Sequence, residues 1–379
     1  MADEPTAADA GTPAPPADGA SELRSVHTST LTELLNQLHC SVLVSTYQAG
    51  KLIAVRSEGG RANTHFRNFK QPMGLAWQGS RLAIGTLTQV CEFQNQPDVV
   101  RRLPESERSA DGCLVPRRAH TTGNIGVHEL AYVNDEIWVV NTRFSCLCTL
   151  AADSSFVPRW RPPFIGGLSP EDRCHLNGFG VRDGRVRYAT ALGETDTGAG
   201  WRANKARGGV LMDVPSGEFI ARGLSMPHSP RWYQNRLWVL ESGAGSLSIV
   251  DEVSGRLQHV ALLPGFTRGL DFVGPFAFIG LSQVRETAVF SGIPITERLP
   301  VEQRMCGMWV VDIRSGQTVA FLRFEAGVQE VFAVQVLQGI RFPDILPEGV
   351  HDDVLSEAYV LPTEALADVR PAPADKKQE

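Results

Sequence analysis

Residues 128–142, HELAYVNDEIWVVNT, begin with a polar residue, run through a short apolar strand, turn at Asn134-Asp135 and return through a second apolar strand. Four other stretches repeat this plan: residues 73–86 (MGLAWQGSRLAIGT), 175–192 (HLNGFGVRDGRVRYATAL), 228–242 (HSPRWYQNRLWVLES) and 268–282 (RGLDFVGPFAFIGLS). Their turns fall at Gln78-Gly79, Asp183-Gly184, Gln234-Asn235 and Gly274-Pro275. Polar or glycine pairs between two apolar runs read as β-hairpins. The leading residues stand 40 to 55 positions apart, a spacing that suits one four-stranded propeller blade per repeat with variable outer loops.

Working outward, residues 208–224, 245–263 and 307–324 each read as strand, turn and strand, the outer half of a blade. Residues 329–342, QEVFAVQVLQGIRF, supply a sixth inner pair, and residues 41–55, SVLVSTYQAGKLIAV, are placed to close the ring against the last blade. The fold class is therefore all-β, a six-bladed β-propeller. Seven blades would require another repeat within residues 87–120 or 286–305, where polar loop sequence prevails. One short N-terminal helix is predicted in TSTLTELLNQL, where Thr30 could cap the start and Leu31, Leu34, Leu35 and Leu38 share a face.

The domain organisation follows from composition. Residues 1–20 contain little that could be buried and read as a disordered leader, residues 21–362 as a single propeller domain, and residues 363–379 as a disordered tail. A net charge of -6 and a pI near 5.9, with charges interspersed, give no footprint for nucleic acid or an anionic membrane. No apolar run reaches the roughly 18 residues of a spanning helix, and the N-terminus lacks the basic start and apolar stretch of a secretory signal. Seven scattered cysteines without a CxxC pair fit a reducing cytoplasm, and Cys146 and Cys148 on one face of a strand read as buried thiols.

Chemistry concentrates in the leading residues. Inner strands of a propeller run along its central channel, so matching positions in successive repeats converge on one axis. Those positions are Met73, His128, His175, His228, Arg268 and, in the sixth repeat, Gln329. His128, His175 and His228 form a candidate site for a divalent transition metal, with iron, copper, manganese and zinc all compatible. Arg268 is expected to orient an anionic substrate group, its structural alternative being a salt bridge with Asp271 or Glu241. Glu194, in the loop after its strand, is the expected acid/base, and His120 is a possible further ligand. The P-loop, the dinucleotide fingerprint, HExxH and G-x-S-x-G are all absent, and SGAGS at residues 242–246 reads as a turn.

The runs CHLNGFGVRDGRVRYATALGETD, GLSMPHSPRW, LWVLESGAGSL, LPGFTRGLDF and FIGLSQVRE resemble a bacterial family of conserved hypothetical proteins with a domain of unknown function, over about residues 25–362. The resemblance implies a propeller-like fold and a cytoplasmic setting, and it carries no substrate or catalytic residue. A looser similarity is to propeller lyases acting on acidic sugars, which hold manganese with three histidines and a glutamine.

The reading is then a metal-dependent propeller enzyme. Oxidation is the first choice of reaction and lyase or hydrolase chemistry the second, on a small-molecule or peptide substrate at the channel mouth. Two alternatives stand beside it: a metal-independent enzyme using His and Arg directly, and a non-catalytic propeller that binds a peptide, glycan or protein.

Overall fold

A computed structural model describes residues 23–284 and 291–361, so the predicted leader and tail lie outside the described residues. Six sheets, each with four antiparallel strands, follow one another around a central axis. From the inner strand outward, the first blade comprises Leu75–Gln78, Arg81–Gly85, Gln89–Asn95 and Gly112–Thr121. The second is Val127–Val133, Glu136–Asn141, Cys146–Ala151 and Ser154–Trp160. The third is Leu176–Arg182, Arg185–Ala191, Gly209–Asp213 and Phe219–Leu224. The fourth is Pro227–Tyr233, Arg236–Glu241, Ser246–Val250 and Leu257–Leu262. The fifth is Phe266–Val273, Phe276–Ser282, Gly307–Asp312 and Gln317–Ala326.

The sixth blade takes its inner strand, Ala333–Gln338, from the end of the domain and its other three, Cys40–Thr46, Lys51–Glu58 and Arg61–Asn68, from the beginning. Cys40 pairs with Gln338 and Ser45 with Ala333, so the ring closes by backbone hydrogen bonds between the two ends of the chain, as residues 41–55 led us to expect. There are six blades. Residues 87–120 hold no further repeat; they supply the two outer strands of the first blade.

Two blades gain a fifth strand. Arg24–His27 adds antiparallel to Gln317–Ala326, and Pro343–Ile345 adds parallel to Gly112–Thr121. The second addition is pinned by Asp344, whose carboxylate accepts from Arg67 at 2.8 Å and meets His65 at 3.1 Å, while Arg56 donates to the Pro343 carbonyl. Burial alone would raise the Asp344 pKa, but the His65 hydrogen bond and the Arg67 charge outweigh it and hold the carboxyl below its ordinary range.

The helix spans Ser29–Gln37 and buries Leu31, Leu34 and Leu35 against the fifth and sixth blades. Thr28, not Thr30, occupies the N-cap; the Thr30 hydroxyl instead donates to the Val319 carbonyl, tying the helix to a strand. Apolar side chains fill the gaps between blades, where Cys40, Cys146, Cys148, Cys174 and Cys306 are buried as free thiols, and Cys113 is buried under the outer part of the first blade. Burial pushes the thiols of Cys40, Cys174 and Cys306 up to about 12, so they pack rather than react. Among the described residues no helix is long and apolar enough to cross a membrane.

Candidate functional site

The inner strands break register where their leading residues lie. Pairing shifts between His228 and Arg231 in the fourth blade, between Thr267 and Leu270 in the fifth, and between Leu176 and Gly178 in the third. A bulge of this kind re-aims side chains out of the alternation of a regular strand. Backbone in the left-handed region accompanies it: His175 and Ser229 have φ of 49°, and Gly269, directly after Arg268, has φ of 78°. A Cβ on Gly269 would lie 2.6 Å from the Val334 backbone nitrogen, so only glycine fits between the fifth and sixth inner strands. Left-handed non-glycine residues cost of order 1–3 kcal/mol each and cluster where function over-determines the fold.

With a matching shift between Val139 and Asn141 opposite His128 in the second blade, these irregularities bring His128, His175, His228 and Arg268 to one pocket of about 600 Å³ at the channel mouth. The rings of His128 and His175 meet edge to face with centroids 4.8 Å apart. His228 instead packs against Phe266, with centroids 5.7 Å apart. Phe332 packs on His128 at 5.1 Å and carries the Arg268 guanidinium over its face at 3.5 Å. Arg268 donates to Glu330 at 3.1 Å rather than to Asp271 or Glu241.

Hydrogen bonds fix the tautomer of each imidazole. His228 Nδ1 lies 2.9 Å from the Met226 carbonyl, which can only accept, so Nδ1 carries the proton. The Thr142 hydroxyl gives its one proton to the Leu176 carbonyl at 2.6 Å and therefore accepts from His128 Nδ1 at 2.8 Å. His175 Nδ1 donates to both carboxylate oxygens of Asp172, at 2.9 and 3.0 Å, and Asp172 also accepts from the Trp201 indole at 3.2 Å. None of the three Nε2 atoms has a protein partner among the described residues.

Burial, the neighbouring His175 and the Arg268 charge push the His128 pKa well below 6.5, and burial with Arg268 does the same to His228. Both rings are neutral at pH 7. Arg268 is itself lowered by burial to about 10, with Glu330 opposing the shift, and stays charged. Burial raises the Glu330 carboxyl, which Arg268 in turn draws down.

Below the pocket the channel is nearly closed, with only about 20 Å³ left between the inner strands. Glu129 and Arg231 fill it as an ion pair. Glu129 also accepts from the Phe179 backbone at 2.9 Å, and Arg231 donates to the Leu270 carbonyl at 3.1 Å. Gly178 makes room for this pair, since a Cβ there would meet a Glu129 carboxylate oxygen at 2.9 Å. The mouth is a blind pocket rather than a pore.

Other expected site residues lie elsewhere. Glu194 is half exposed, pairs with Arg222 at 3.1 Å and lines a separate recess behind the loop that carries Trp201. His120 bonds the Ser155 carbonyl at 3.1 Å on the outer part of the molecule. Gln329 is exposed, and its place at the mouth is taken by Glu330 and Phe332. Sequence reasoning missed Asp172, although a carboxylate three residues before His175 was visible in EDRCH. Among the described residues no three or more His, Cys, Asp or Glu side chains are grouped so that they could hold a metal ion.

The profile of DUF4915, described as a domain of unknown function, matches residues 29–346. No curated protein matches. Two solved structures are similar in fold at 9% identity, each aligned over 79% of this chain and 99% of its own. One is from a nidogen/laminin complex, with a TM-score of 0.51, and the other is a protein of unknown function from Bacteroides caccae, with a TM-score of 0.50.

Proposed function

Since the chain belongs to the DUF4915 family, whose description assigns no activity, we propose from the site alone that it is an acid–base enzyme working on a small substrate at the channel mouth. One observation carries the reading: the Asp172–His175 pair opens into a 600 Å³ pocket that also holds a charged, buried Arg268. Asp172 holds the proton on Nδ1 and steadies the imidazolium that forms when Nε2 takes a proton. Arg268 keeps further N–H donors beyond the one given to Glu330, enough to orient a carboxylate. His128 and His228, held neutral, contribute acceptors rather than charge.

The test is untargeted. Metabolite extracts would be incubated with the wild type, His175→Ala and Arg268→Ala and compared by mass spectrometry, with and without a strong chelator. A conversion lost in His175→Ala and kept in chelator supports the reading; one that both variants retain sinks it.

A second reading keeps His128, His175 and His228 as ligands of a transition metal. It is favoured by the tautomers, because metal-bound histidines also commit one ring nitrogen to a second partner and leave the other free. The arrangement described above does not group three ligands, so this reading requires His228 to draw towards the His128–His175 pair. Metal analysis of untagged protein decides: about one equivalent, lost in each histidine variant, would establish it.

A further inference from the structure

Hydrogen-bond acceptors without protein partners share the pocket with Arg268. The Nε2 atoms of His128, His175 and His228 have no protein partner among the described residues, each ring being held through Nδ1. Glu330 commits one carboxylate oxygen to Arg268, and its second has no partner among the described residues. Gln71, also at the pocket wall, has its side-chain oxygen buried without a partner and its backbone at φ of 52°. The Gln71 oxygen is buried without a partner, and with the open acceptors beside it calls for a ligand that brings N–H or O–H groups.

The charge of the lining narrows the choice. Arg202 and Arg268 are matched in the lining by Asp172 and Glu330, so the pocket favours neither a bare anion nor a bare cation. It separates the two signs instead, with one half-used guanidinium beside a cluster of acceptors. Around this polar end stand Met73, Leu87, Leu192, Met226, Phe266 and Phe332, an apolar wall with room for a side chain.

We propose that the mouth binds the zwitterionic head of an α-amino acid with an apolar side chain, its carboxylate on Arg268 and its ammonium among the Nε2 atoms and Glu330. A primary ammonium supplies three donors at one point, which is what this cluster lacks. The inference rests on the reading of the mouth as the substrate site and names the substrate class.

Calorimetric titration of the full chain with L-phenylalanine and L-leucine tests it, beside N-acetyl-L-phenylalanine, L-phenylalaninamide and L-3-phenyllactate, which lack the ammonium, the carboxylate and the ammonium respectively. Expected is binding of the free amino acids, weakened by about tenfold or more when either charge is blocked, and likewise in Arg268→Lys and Glu330→Gln. Long-range nitrogen–proton NMR of histidine-labelled wild type gives a readout that needs no variant to fold: L-phenylalanine should shift the Nε2 signals of the three rings. Phenyllactate binding as tightly as phenylalanine would overturn the ammonium assignment and leave the site reading intact. If no compound binds while His175→Ala still abolishes a conversion found in extracts, the substrate class falls alone. No binding together with no His175-dependent conversion overturns both.

Discussion

His175 Nδ1 stands 2.9 and 3.0 Å from the two carboxylate oxygens of Asp172, and the two residues, three apart in sequence, both have left-handed backbone, with φ of 49° and 50°. Two strained residues so close together hold an imidazole against a carboxylate at the start of an inner strand. The strain serves the orientation of one ring. Asp172→Asn can still hydrogen-bond Nδ1 but no longer stabilises an imidazolium. A conversion found for the wild type should therefore slow on the order of 10²-fold or more in Asp172→Asn. The melting temperature should stay close to that of the wild type, so that the loss is read in kcat rather than in the amount folded.

The buried pair beneath the pocket makes the opposite prediction. Arg231 and Glu129 plug the channel and bridge the second, third, fourth and fifth inner strands through the Phe179 backbone and the Leu270 carbonyl. Removing one member leaves a charge buried without its partner. Arg231→Ala should cost about 3–5 kcal/mol in urea unfolding, and Glu129→Ala a similar amount. If both variants unfold at the same urea concentration as the wild type, the plug is not what holds the inner strands in register.

How far the sequence could be read is seen at the leading residues. His128, His175, His228 and Arg268 were legible because each precedes a hairpin whose turn anchors the alignment. The sixth repeat has no such turn: its inner strand pairs with Cys40–Thr46 from the other end of the chain. Its register therefore floated, and Gln329 was read where Glu330 and Phe332 stand. The bulges also escaped notice, since a shift of register inside a strand leaves no compositional mark. Asp172 was hidden in a loop whose path no periodicity describes, and the loop after Ala191 carries Glu194 away from the mouth.

That misplacement is itself testable. Glu194 and Arg222 form a half-exposed ion pair of a kind that contributes little in water. Glu194→Ala should leave turnover within about twofold of the wild type and change stability by less than about 1 kcal/mol. A loss comparable to that of Asp172→Asn would return Glu194 to the reaction and require the loop that carries Trp201 to move.

The neutral histidines give the protein a pH dependence whose sign is fixed. His128 and His228 have folded-state pKa values well below the 6.5 of the unfolded chain. Between the two values the unfolded state binds more protons, so their contribution to stability is complete above 6.5 and is lost as the pH falls through that window. Each ring removes about 1.4 kcal/mol per pH unit below 6.5 for as long as it stays neutral in the fold. Glu129, Asp271 and Glu330, whose carboxyls burial raises, act in the other direction by taking up protons in the folded state first. The histidine term must then be read as a difference between proteins. Urea unfolding at pH 7.5, 6.5 and 5.5 should show the wild type losing more stability on acidification than His128→Gln or His228→Gln. Parallel pH curves for wild type and variants would mean that both rings titrate as they do in the unfolded chain, and the acceptor-rich mouth would then be protonated and cationic at mildly acidic pH.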